Sequence, residues 1–141
     1  MSRPACPESA VLAACIQYLA KAGIIAWRNS TGCARYKGPG GPRFVRYGLP
    51  GSGDILGILP GGRFLSIQTK STTGRLSPEQ CVWLETVRGA GAVAIVARSV
   101  DDLIEGLEAA GFGMGELFAK DTHLGVNDFA LGNDKEACKH E

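Results

Sequence analysis

Three side chains of this 141-residue chain stand where they could share chemistry: Asp54, Gln68 and Lys70. Asp54 opens the apolar run 54–59, Pro60-Gly61-Gly62 breaks it, and a second run, Arg63-Phe64-Leu65-Ser66-Ile67-Gln68-Thr69-Lys70, follows. Two strand-length runs around such a break predict a β-hairpin. Side chains alternate faces along a strand, so Phe64, Ser66, Gln68 and Lys70 fall on one face. With a three-residue loop at 60–62, Leu59 faces Arg63 and Asp54 falls opposite Gln68. A slip of one residue would send Asp54 to the other face. The register gathers an acid, an amide and an amine at one end of an otherwise apolar hairpin, an arrangement that is costly unless it binds something.

The spacing nearly matches the nuclease pattern Asp…(Asp/Glu)-x-Lys, in which two carboxylates hold a divalent cation and a lysine assists the attacking water. Hard cations such as Mg²⁺ prefer oxygen ligands and keep several waters. The bound ion polarises a phosphoryl oxygen and lowers the pKa of its water, and a lysine beside that water stabilises developing charge. The middle position here is Gln68, whose amide offers one neutral carbonyl oxygen in place of a charged carboxylate.

The elements that must position these residues are legible on either side. Pro7-Glu8 opens a helical pattern to about Ala22, with Val11, Leu12, Cys15, Ile16 and Leu19 on one face and Gly23 as the stop. Glu8 suits the first turn through the helix dipole, and it reaches a metal site only if that end of the helix lies over the hairpin. Residues 24–28 form a short strand candidate. Residues 29–53 read as a long irregular segment, with basic and aromatic side chains interleaved among Gly and Pro. Such a loop suits phosphate contact and stacking, although Tyr36 and Tyr47 serve equally well as anchors that pack it down. After Lys70, Ser77-Pro78-Glu79-Gln80 starts a helix, with Ser77 as N-cap and Gln80 three residues on. Leu76 offers a staple onto Cys81. The run 92–97 is typical of a strand buried on both faces, and Ser99 caps a helix from Val100 to about Ala110.

This order predicts an α/β domain over 1–111, with a mixed sheet of about four strands flanked by helices. Residues 112–141 form an acidic, Gly-rich extension, with one short element near 116–120. The size is that of one domain with a real core. The five cysteines are irregularly spaced without C-x-x-C, so neither a zinc site nor a disulfide framework is indicated, and Cys138 with His140 is a weak pair. No apolar run is membrane-spanning, and the expected location is cytoplasmic. The net charge of +1 hides an asymmetry. No acid lies between Glu8 and Asp54, whereas Lys21, Arg28, Arg35, Lys37, Arg43 and Arg46 do; a basic half of this kind points to nucleic acid.

Taken together, the chain resembles the VRR-NUC (virus-type replication-repair nuclease) family of the PD-(D/E)xK superfamily. The matching pieces are Glu8, Trp27-Arg28-Asn29 with Gly32, Gly48-Leu49-Pro50-Gly51-Ser52-Gly53-Asp54 and Gly62-Arg63-Phe64. They continue with Lys70, Thr73-Gly74-Arg75-Leu76-Ser77-Pro78-Glu79-Gln80 and the Gly-Ala-Val-Ala-Ile-Val-Ala run, covering roughly residues 8 to 110. The resemblance implies a restriction-endonuclease-like core and hydrolysis of DNA phosphodiesters with Mg²⁺ or Mn²⁺. On that basis Asp54, position 68 and the Thr69 carbonyl would be metal ligands, Lys70 would orient or deprotonate the water, Glu8 would serve a second metal or its waters, and Gln80 would line the site. Arg28, Arg35, Lys37, Arg43, Arg46 and Arg75 would contact DNA. Family members that stand alone look like homodimers acting on branched DNA, in a bacterial or phage-infected cell. With Gln68 in place of the carboxylate, the expectation is a weak or inactive endonuclease; the alternative is a non-catalytic DNA-binding protein on the same fold.

Overall fold

The hairpin forms with the register that a three-residue turn dictates. In the computed structural model, which describes residues 6–113, β4 (Ile55–Leu59) and β5 (Arg63–Thr69) are antiparallel, with Leu59 opposite Arg63 and Ile55 opposite Ile67. Around them lie α1 (Glu8–Lys21), β1 (Ile25–Arg28), β2 (Gly32–Gly38), β3 (Gly41–Tyr47), α2 (Pro78–Gly89), β6 (Val93–Ala97) and α3 (Val100–Ala109). The main sheet has the order β1-β4-β5-β6, with β6 parallel to β5 and the other pairs antiparallel. This is the α/β architecture expected, a mixed four-strand sheet flanked by helices.

Period-2 alternation sorts the strands' side chains into two layers. On one face Ile55, Leu59, Leu65, Ile67 and Ile95 meet Val11, Cys15 and Leu19 of α1 and Leu103 and Leu107 of α3. Leu19, Leu65, Ile67, Leu103 and Leu107 are fully enclosed, and each such side chain contributes about 1.5–3 kcal/mol through burial. On the other face α2 sets Leu84 and Val87 against Ala94, with Leu76, Trp83 and Val96 at the margin. Leu76 thus packs into this layer, whereas Cys81 is exposed.

Helix α2 begins as its sequence requires. Ser77 Oγ accepts from Gln80 N–H at 3.2 Å, and Gln80 Oε1 accepts from Ser77 N–H at 2.9 Å, a complete capping box with Pro78 in the first turn. Ser99 Oγ accepts from Asp102 N–H at the start of α3.

One expectation is corrected. Residues 29–53 are not irregular throughout: β2 and β3 pair from Gly32 opposite Tyr47 to Gly38 opposite Gly41, forming a separate two-stranded ribbon. Every residue of the ribbon but Ala34 is exposed. A strand that buries neither face carries no apolar alternation, and the density of Gly and Pro masked what remained. Among the described residues no helix is long and apolar enough to cross a membrane. Most of the C-terminal extension, including the element expected near 116–120 and the Cys138–His140 pair, lies outside the described residues.

Candidate functional site

Asp54 sits at the bend that leads into β4. Its backbone carbonyl accepts from Asn29 N–H at 2.8 Å, carrying the β1–β4 pairing one step past Arg28. Its side chain turns to the end of β5, where Oδ2 accepts from Thr69 N–H at 2.8 Å and from Thr69 Oγ1 at 3.1 Å. Thr69 is buried, so two donors in fixed positions orient the carboxylate. No hydrogen bond to the other oxygen, Oδ1, forms among the described residues. The approach to Asp54 is pinned by Asn29, whose side-chain amide donates to Ser52 Oγ at 2.8 Å and to the Gly53 carbonyl at 2.9 Å.

Asp54 and Thr69 open onto a cleft of about 560 Å³. The first turns of α1 border it through Glu8, Ser9 and Leu12, and the end of β1 borders it through Arg28 and Asn29. The start of α1 therefore does lie over the end of the hairpin, the condition on which a role for Glu8 depended. Two carboxylates and a guanidinium share this space, with Glu8 and Arg28 exposed at its rim.

Gln68 belongs elsewhere. It is completely buried; Nε2 donates to the Gly51 carbonyl at 2.7 Å, and Oε1 accepts a long 3.5 Å bond from Gln80 Nε2. Alternation places Gln68 with Ser66 on the α2 side, where Trp83 Nε1 donates to Ser66 Oγ at 2.8 Å. Asp54 escapes that rule because it precedes β4 at a bend, so the correct register does not bring its carboxylate to Gln68. Gln68 does not border the Asp54 cleft. Gln80 does reach Gln68, from the N-terminal turn of α2.

Lys70 follows β5 directly, and its N–H donates to the Ala97 carbonyl at 2.9 Å. The turn beyond it is clamped by Arg98, whose Nη1 donates to the carbonyls of Ser71 at 2.7 Å and Gly74 at 2.6 Å. Arg98 is in turn seated by its N–H on the Asp102 carboxylate at 2.9 Å. Arg75 is exposed in the segment leading to α2. The sequence reading missed Arg98 as a support; a lone arginine between a strand and a helix gives no signal of which carbonyls it will meet.

Arg35, Lys37, Arg43 and Arg46 all stand on the ribbon, away from the sheet. The Arg35 guanidinium lies 4.7 Å from the centroid of the Phe44 ring. Tyr47 packs across Gly32, where a Cβ would lie 2.7 Å from its hydroxyl, and it also borders the cleft. Tyr47, 46% exposed, thus stands at the ribbon's base beside the cleft. Tyr36 is 59% exposed near the tip.

Among the described residues no three His, Cys, Asp or Glu side chains converge as a metal cage. Mg²⁺, however, is commonly held by only one or two carboxylates with waters and substrate phosphate. The donor set of Asp54 and Glu8 on one open cleft suits such an ion, while Gln68 does not reach it. Comparison with family models, with curated proteins and with solved structures finds no match for the chain.

Proposed function

We propose that this protein is a metal-dependent DNA endonuclease in a weak or inactive form, selective for branched or junction DNA and working as a homodimer in the cytoplasm of a bacterial or phage-infected cell. The observation that carries this reading is the cleft in which Asp54, fixed by two Thr69 donors, stands with Glu8 and Arg28. Mg²⁺ or Mn²⁺ held there by Asp54, Glu8 and the Thr69 carbonyl would supply Lewis-acid activation of phosphate and water. The chain's own part is positional and electrostatic. Thr69 orients the Asp54 carboxylate, Arg28 offers a guanidinium to a phosphate at the rim, and Lys70 brings an ammonium to the end of β5.

A second reading has its own observation. The Gln68 amide donates to the Gly51 carbonyl and accepts a long bond from Gln80, so glutamine is a structural member of this fold; this favours a DNA-binding protein that does not cleave. The two readings part in one experiment. Wild type, Asp54→Ala and Glu8→Ala are incubated with labelled four-way-junction DNA and Mg²⁺ or Mn²⁺. Slow cleavage by wild type that is lost in Asp54→Ala and reduced in Glu8→Ala supports the nuclease. Junction binding by all three proteins with no cleavage by any leaves the binding protein.

A further inference from the structure

Among the described residues, the β2–β3 ribbon leaves the body at Gly32 and returns at Tyr47, joins neither edge of the main sheet, and makes no extensive packing with another helix or strand. A two-stranded hairpin open to water on both faces is marginal alone, so a bound partner would complete this one. Its register indicates the partner's chemistry. Directly paired residues share a face, so Arg46, Arg35 with Phe44, and Lys37 stand on one side, while Tyr36 with Arg43, Val45 and Tyr47 stand on the other. The first side carries three cations, and no acidic residue occurs anywhere between Glu8 and Asp54. That charge pattern is complementary to a polyanion.

Two further features select a duplex over a single strand. A single-strand platform needs successive open aromatic faces. Here the aromatics do not line up: Phe44, with Arg35 over its ring, stands on one side of the ribbon, and Tyr36 and Tyr47 stand on the other, near the tip and at the base. The ribbon also has the right dimensions. Its seven-residue strands span roughly 23 Å, and its two backbones lie about 4.8 Å apart. The major groove of B-DNA is about 12 Å wide and admits a two-stranded ribbon.

Resting on the reading of this protein as one that acts on DNA, we infer that the ribbon is a duplex-reading arm: it lies in the major groove of double-helical DNA with Arg35, Lys37 and Arg46 toward phosphates and base edges, while the Asp54 cleft sits on the backbone beside it. The arm thus makes the flanking duplex, and not an unpaired segment, the anchoring part of the substrate.

The test uses the full chain, a labelled duplex about three helical turns long, a single strand of the same sequence, and a salt series. Wild type should prefer the duplex and protect guanine N7, a major-groove atom, from dimethyl sulfate. The variant Arg35→Gln/Lys37→Gln/Arg46→Gln should bind the duplex roughly tenfold or more weakly at low salt, with the log–log salt slope reduced by about 2–3, whereas Arg63→Gln, at the β4–β5 turn, should lose little. Circular dichroism of the triple variant should match wild type, since all three side chains are exposed. Duplex binding unchanged in the triple variant overturns the arm and leaves the DNA-acting reading standing. Tighter binding to the single strand, or a change of oligomeric state in place of a change in DNA affinity, also overturns it. Absence of DNA binding by wild type overturns both.

Discussion

Gln68 donates its side-chain amide to the carbonyl oxygen of Gly51 across 2.7 Å, in a position with no solvent exposure. The contact ties β5 to the loop that enters Asp54, and through Gln80 it reaches the first turn of α2. The residue that departs from the nuclease pattern is thus a three-way structural tie.

The Gln68→Glu variant should therefore be less stable than wild type at neutral pH without metal, by about 1–3 kcal/mol, because an ionised carboxylate cannot donate to Gly51 and faces its carbonyl oxygen. The introduced carboxyl group can donate only while it is protonated. Its folded-state pKa should accordingly lie above the unfolded value of about 4.3. The deficit is then small below that value and grows as pH rises towards the folded-state pKa. Urea denaturation of both proteins at about pH 4 and about pH 7.5, on either side of the unfolded pKa, checks this. An equal deficit at both would show that ionisation is not the cause.

The acceptor in this tie is held by Gly51 itself. Its φ is +78°, and a Cβ there would lie 2.5 Å from the backbone of Glu79 in α2. Gly61, in the β4–β5 turn, has a similar φ of +87°, and a Cβ there would meet nothing within 4 Å. Gly61→Ala should cost only the left-handed strain of about 1–2 kcal/mol. Gly51→Ala should cost clearly more, because backbone must also move. Thermal melts of the two variants side by side give the comparison, and equal losses would remove the close approach from the account.

What the sequence disclosed follows from which forces are local. The Leu59–Arg63 register came from a three-residue turn, and the start of α2 came from Ser77, Pro78 and Gln80, all contacts within a few residues. The buried strand β6 was legible because parallel strands covered on both faces are continuously apolar. The ribbon was not, because its cations and aromatics bury neither face. Nor was the orientation of Asp54: alternation holds inside a strand, and Asp54 lies one residue outside, where two Thr69 donors decide its direction. Glu8 came to the cleft through packing of α1 on the sheet, a long-range outcome with no local signature.

Arg98 carries a prediction about the supports of Lys70. Its guanidinium holds both the Ser71 and Gly74 carbonyls, closing the turn between Lys70 and the Ser77 cap. Bonds to a charged donor contribute about 1.5–3 kcal/mol. Arg98→Met should lose a comparable amount and raise amide hydrogen exchange in residues 71–76, while leaving exchange in α1 unchanged apart from the global term. Exchange raised uniformly along the chain would argue against a local clamp.

Cys15 supplies a pH prediction. It is fully enclosed between α1 and the sheet, and burial, followed by the Asp102 carboxylate, pushes its thiol from 9.0 up to about 11. A raised pKa means that the folded state keeps the proton after the unfolded chain has lost it. The resulting stability is fully present below pH 9.0 and is lost as pH rises through about 11. At about 1.4 kcal/mol per unit, the loss is of order 2–3 kcal/mol. Cys15→Ala should start lower at neutral pH, because it leaves a small cavity, and should then fall less steeply through the alkaline range. Urea midpoints from about pH 8 to 11, taken as the difference between the two proteins, isolate this thiol from every group the two proteins share. Parallel curves would mean that the thiolate is solvated in place, and that the α1–sheet layer opens to water without unfolding.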